Sequence, residues 1–187
     1  MREAREDGSV LPAETGAFLR NGHYVSSDDS GVYAVRTFRD TVRRVGVEGR
    51  WTRIGEGGDE TLIMGISADE NLESNYVNFT VTPAGWVVST RRDNADPRVV
   101  VKGSFSPPLE LNRTYRFELD AADGTVTIRV PGAEKKAKLG TIGLLGDRAY
   151  WQHYSDPAEI PIGAKFCVDV LWAVEQDQPL TAIPVGG

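Results

Sequence analysis

The sequence predicts an all-β protein: an antiparallel two-sheet β-sandwich, residues 31–187, preceded by an N-terminal arm over residues 1–30. Three observations carry this. Apolar residues recur at every second position in stretch after stretch, 20 glycines and 10 prolines, above the average share, fall between those stretches, and no long segment holds a helical stripe.

In chain order, Val45, Val47, Gly49 and Trp51 share one side of a strand whose other side takes Arg44, Glu48 and Arg50. Val77, Phe79 and Val81 alternate with Asn78 and Thr80. Tyr115, Phe117 and Leu119 alternate with Arg116 and Glu118, and Val126, Ile128 and Val130 with Thr127 and Arg129. Phe166, Val168, Val170 and Trp172 line one side of the last long strand, which places Trp172, like Trp51, in the core. Such alternation puts one face on a core and the other in water. Asp123-Gly124 and Pro131-Gly132 are hairpin signals, Thr82–Gly85 joins two strands, and Glu56–Asp59 closes another. The spacing gives roughly ten to twelve short strands.

Residues 1–30 carry few paired apolar positions and end in the turn-rich Ser26–Gly31. Two readings compete: an arm that packs on a neighbouring molecule, giving a homo-oligomer, or a first strand that closes the sandwich. An arm with some strand content is preferred. Arg2–Asp7 offers one helical turn at most.

The net charge of −6, from 21 basic and 27 acidic residues, argues against nucleic acid as partner. The arginines at 36, 39, 43, 44, 50 and 53 are interspersed with Asp40 and Glu48 and read as a solvated face. The single cysteine, Cys167, sits in the apolar run Phe166–Val174 and reads as a buried, inert thiol. Met1–Asp7 lacks the apolar stretch of a signal peptide, and no apolar run is long enough to span a membrane. A role at an extracellular surface would be reached without such a signal, and no membrane partner is expected.

Catalytic patterns are sparse. Glycosidases need two facing carboxylates, and the strands read as carrying single acids such as Glu48, Glu118 and Asp169. No Gly-x-Ser-x-Gly occurs, and Cys167 has only His23 and His153 as bases. No catalytic residue, cofactor or transition metal is expected. Calcium stays open at the oxygen-rich Asp93, Asn94 and Asp96, where a plain turn is the simpler reading.

Aromatic residues stand out instead. Tyr150, Trp151, His153 and Tyr154 lie together, and Arg91 and Asn94 follow Trp86 closely. Sugars stack their apolar face on rings while polar groups read hydroxyls, so the candidate ligand-binding set is Trp86, Arg91, Asn94, Tyr150 and Tyr154. Alternation separates Trp151 from Tyr150, with Trp151 expected in the core and Tyr150 partly exposed on a groove.

The stretch Thr114–Gly132 resembles the central hairpin of concanavalin A-like (laminin G-type) jelly rolls. Val81–Trp86 and Gly146–Tyr154 are similar to segments of such domains in tail proteins of phages infecting actinobacteria. The likeness spans about residues 32–175. It implies a lectin-like, non-catalytic binding module of a phage virion, tail or capsid, engaging cell-surface polysaccharide and other virion proteins. The alternatives are a purely structural decoration or assembly protein and, third, a polysaccharide hydrolase or lyase. The carboxylate signature of the glucanase branch and the arginine- and tyrosine-rich signature of the lyase branch are not found.

Overall fold

The computed structural model describes residues 2–5, 18–20, 23–25, 32–54, 61–69, 72, 74–122, 124–140, 145–154, 165–176 and 181–183. Fifteen strands run through them, and they contain no helix. The strands are Arg2–Arg5 (β1), Phe18–Arg20 (β2), His23–Val25 (β3), Val32–Thr37 (β4), Val42–Arg53 (β5), Thr61–Ser67 (β6), Tyr76–Val81 (β7) and Gly85–Arg91 (β8). They continue with Arg98–Ser104 (β9), Tyr115–Ala122 (β10), Thr125–Val130 (β11), Ala133–Lys138 (β12), Arg148–Tyr154 (β13), Lys165–Glu175 (β14) and Thr181–Ile183 (β15).

A seven-stranded sheet has the order β1-β4-β13-β6-β7-β8-β9, a six-stranded sheet the order β12-β11-β10-β5-β14-β15, and β2 pairs with β3 alone. Every pairing is antiparallel. The expected sandwich is present, with more strands than the spacing suggested because the shortest ones carry no readable alternation.

Alternate side chains of both sheets meet in one core. Trp51 lies edge-on to Phe117 at 6.0 Å and to Phe166 at 4.7 Å between ring centroids. Trp151 enters from the opposite sheet, and its indole N–H donates to the Gly46 carbonyl of β5 at 3.0 Å. Buried polar atoms need such partners, so this bond ties the two layers at a defined register. β10 and β11 pair as far as Ala122 and Thr125, with Gly124 between them at φ 68°, and Pro131-Gly132 forms a tight turn with Gly132 at φ 75°, a region glycine enters without steric cost.

Two local expectations change. Arg2–Arg5 is a strand, because its backbone pairs with β4 across the sheet edge, which overrides a weak local helical tendency. In β14 the register shifts between Val168 and Val170, where Asp169 is the extra residue of a bulge. Phe166, Val168, Leu171 and Ala173 therefore face the core, while Trp172 faces outward beyond the six-stranded sheet. The Glu56–Asp59 turn, and residues 1–30 apart from β1, β2 and β3, lie outside the described residues.

Candidate functional site

Polar positions of the strand pattern fall on two outer faces, and the two differ in chemistry. On the seven-stranded sheet three cross-strand rows run side by side. Arg148, Ser67, Tyr76 and Arg91 form the first; Tyr150, Gly65, Asn78 and Ser89 the second; Gln152, Ile63, Thr80, Val87 and Lys102 the third. These rows hold hydroxyls, amides and cations, and no carboxylate.

Over the strands β7, β8 and β9 this face opens into a groove of about 610 Å³, lined by Thr80, Thr82, Val87, Lys102 and Ser104 among others. The Thr82–Gly85 turn that closes its end is braced by the Thr82 hydroxyl, which accepts from the Gly85 N–H at 3.1 Å. Toward the centre of the sheet the face is covered. Leu72, at φ 59°, packs with Val35 and Ile63 onto Tyr150. That conformation costs a branched residue on the order of 1–3 kcal/mol. The loop's own bonds offset it: Asp69 Oδ2 accepts from the Ser74 N–H at 2.6 Å, and the Ser67 hydroxyl donates to the Asn75 carbonyl at 2.9 Å. Gly65 makes room beneath, since a Cβ there would lie 2.4 Å from the Tyr150 hydroxyl.

The candidate ligand residues are dispersed by this architecture. Trp86 is among the residues that line the groove, but its ring falls on the inward parity of β8, 7% exposed, edge-on to Phe79 and across Gly103. Tyr150 is on the outward side as parity requires, yet only 4% exposed instead of open on a groove, because Leu72 covers it. Trp151 is buried at 2%, as expected. Arg91 and Asn94 do come together at the β8–β9 turn, where the Arg91 guanidinium donates to the Ala95 carbonyl at 2.9 Å. Asp93 and Asn94 have φ of 50° and 61°, and the Asn94 amide oxygen accepts from Ser74. The Asp93 carboxylate pairs with Arg92 at 3.3 Å, which makes the segment a turn tied by its own side chains. No cluster of three or more His, Cys, Asp or Glu suited to a metal occurs among the described residues. The Tyr154 side chain lies outside the described residues.

On the six-stranded sheet the outer face is a closed electrostatic lattice. Glu118 and Asp120 stand side by side on β10, 4% and 6% exposed, so the strands do carry a carboxylate pair, contrary to the reading of single acids. Arg43 and Arg44 reach Asp120 at 2.9 and 2.7 Å, and Arg129 and Arg116 hold Glu118. Burial acts to raise the Asp120 pKa, but hydrogen bonds and charge from Arg43 and Arg44 outweigh it and hold the carboxyl below its ordinary value. A carboxylate held this way makes a poor proton donor. Trp172 donates to Glu118 at 3.2 Å, takes the Arg116 guanidinium over its ring at 4.3 Å, and lies on Gly46, where a Cβ would meet the ring at 2.1 Å. Arg50 pairs with Asp169 at 2.9 Å. Arg43, Arg44 and Arg50 are thus half-buried ion-pair partners, and not a solvated face. Cys167 is half-buried on the same side, its Sγ 3.9 Å from the Thr52 hydroxyl.

His153 faces the core, stacked on Phe166, and neither ring nitrogen has a hydrogen-bond partner. Burial lowers its pKa from 6.5 to about 4, so the ring is neutral. The groove residues escaped sequence reasoning because Thr80, Val87, Lys102 and Ser104 carry no aromatic signal. Their shared outward parity was the available clue.

No protein-family model matches this chain, and no curated protein does. Solved structures do. The carbohydrate-binding module CBM66 from Bacillus subtilis is similar over 97% of this chain and 95% of its own, at 13% identity and a TM-score of 0.58. The alginate lyase A1-II′ of polysaccharide lyase family 7 is similar over 86% and 83%, at 12% identity and a TM-score of 0.59. Sheep galectin-11 is similar over 76% and 96%, at 6% identity and a TM-score of 0.50. These neighbours share the concanavalin A-like jelly roll, and that fold is the one this chain adopts. They are a binding module, a lyase and a galectin, so the fold leaves activity open.

Proposed function

We propose that this protein is a non-catalytic, lectin-like module that engages cell-surface polysaccharide through the outer face of its seven-stranded sheet. The observation that carries the reading is the groove over β7, β8 and β9, an open concavity of hydroxyls, one amine and aliphatic floor beside described cross-strand rows that hold no carboxylate. Sugars need that mixture of apolar contact and hydrogen-bonding groups. Absence of catalysis is supported by His153, whose ring is sealed in the core, and by the arginine-locked pair Glu118 and Asp120. The virion setting, on tail or capsid, is supported by the resemblance of Val81–Trp86 and Gly146–Tyr154 to phage tail-protein segments.

A glycan array with the wild-type protein and Val87→Trp tests this. The wild type retains a polysaccharide that the groove-filling variant loses at unchanged melting temperature. Retention of no glycan at millimolar sugar overturns the reading, and release of reducing or unsaturated ends from any polysaccharide replaces it with an enzyme. A pure assembly role has one observation in its favour: β1 adds to the edge of β4, a place a neighbouring copy's strand could equally fill. Deleting residues 1–30 then converts an oligomer to a monomer in light scattering.

A further inference from the structure

The sandwich has one flank where the terminal strands of both sheets, β9 and β12, approach each other. Arg98 and Lys102 on β9 and Lys135, Lys136 and Lys138 on β12 are all exposed; Arg98, opposite Thr90, and Lys135, opposite Ile128, stand at the sheet margins, while Lys102 faces the outer side of the seven-stranded sheet and Lys136 and Lys138 that of the six-stranded sheet. The one acid on these two strands, Glu134, is bound to Arg129 at 2.9 Å and lies 3.7 Å from the Lys136 amine. Among the described residues Arg98, Lys102, Lys135 and Lys138 make no ion pair, whereas Arg43, Arg44, Arg50, Arg116 and Arg129 all do. In a chain of net charge −6, four cations without an ion pair thus gather along this flank.

Lysines on edge strands deter sheet-to-sheet aggregation, and that alone would account for one or two of them. A second observation goes further. Lys102 also lines the groove, which runs out to the same edge through Ser104. A chain molecule lying in the groove would leave it across this flank.

We infer that the flank is a binding surface for acidic polysaccharide, one bearing a carboxylate or sulfate on its repeating unit. The inference rests on the glycan-binding reading and adds the charge class of the ligand. The groove holds the sugar backbone, and the lysines attract the acidic groups in a salt-dependent way. A nucleic acid fits less well, since the described residues of β9 and β12 include no aromatic ring on which a base could stack.

The test is binding of the full chain to an array of acidic glycans printed beside their desulfated or carboxyl-reduced counterparts, with single-stranded DNA as a further probe. The wild type prefers the acidic member at low salt, and the preference fades as salt rises. The triple variant Lys135→Ser, Lys136→Ser, Lys138→Ser loses about tenfold on the acidic member, the scale of three exposed ion pairs, and keeps its affinity for the neutral one. Equal binding of acidic and neutral members overturns the charge assignment but leaves glycan binding standing. An undiminished preference in the triple variant, or DNA bound as tightly as the acidic glycan, also overturns it. Retention of no glycan at all removes the underlying reading instead.

Discussion

The outer face of the six-stranded sheet spends its polar groups on one another; the outer face of the seven-stranded sheet leaves several of its own exposed. Glu118 and Asp120 are each shared between arginines from neighbouring strands, and Trp172 roofs the arrangement. Across the molecule, Thr80, Lys102 and Ser104 line an open groove. A buried charge needs a partner of its own, whereas a neutral hydroxyl facing solvent costs little to leave available. Function has room on the second face and almost none on the first.

Substitutions can break or sharpen that contrast. Removing the roof should do the greatest damage: Trp172→Ala strips the indole from Gly46 and from Glu118 and is expected to lower stability by about 3–5 kcal/mol in urea unfolding. Trp151→Ala, which cuts the bond between the layers, should cost a similar amount. An equal loss from Thr80→Ala would erase the contrast.

The pH profile comes next. His153 has a folded pKa of about 4 against 6.5 in the unfolded chain, so below 6.5 the unfolded state takes up a proton that the folded state refuses. Stability should be flat above that pH and fall by about 3 kcal/mol as pH drops toward 4. His153→Leu should flatten this window. The lowered Asp120 carboxyl adds a separate loss at more acid pH, as its protonation in the folded state breaks the contacts with Arg43 and Arg44.

Asp120→Ala leaves Arg43 and Arg44 without their partner in a half-buried site and should cost about 2 kcal/mol, less in high salt. At the small end, Thr80→Ala or Ser104→Ala should change stability by less than about 0.5 kcal/mol while weakening glycan retention on the array.

How much of this was legible depends on how far each feature reaches. Hairpins at Asp123-Gly124 and Pro131-Gly132 are local, and the sequence showed them. The strand cores Val45–Trp51 and Val77–Val81 were visible through alternation. Parity failed at Asp169, since a bulge has no signature in a run such as Val168 to Val174. The exposure of Tyr150 was misread for a different reason. Tyr150 has the right parity for exposure, but Leu72, remote in sequence, decides its accessibility. The Glu118 and Asp120 pair was missed although both lie on one strand, and its partners come from β5 and β11.

The bulge at Asp169 reaches further than its single residue. It lets one strand be written in two frames, with Phe166 and Val168 in the first and Leu171 and Ala173 in the second. Both frames deliver their apolar members to the same interior. Only the second delivers an indole to the opposite side, where it shields the charge lattice from water. Flattening the bulge with Asp169 kept in the ladder would force a choice: either Phe166 and Val168 stay inside and Trp172 joins them, stripping the lattice, or Leu171 and Ala173 stay and the other end turns inside out. The bulge thus absorbs the extra residue and lets a single strand serve two neighbourhoods with opposite demands.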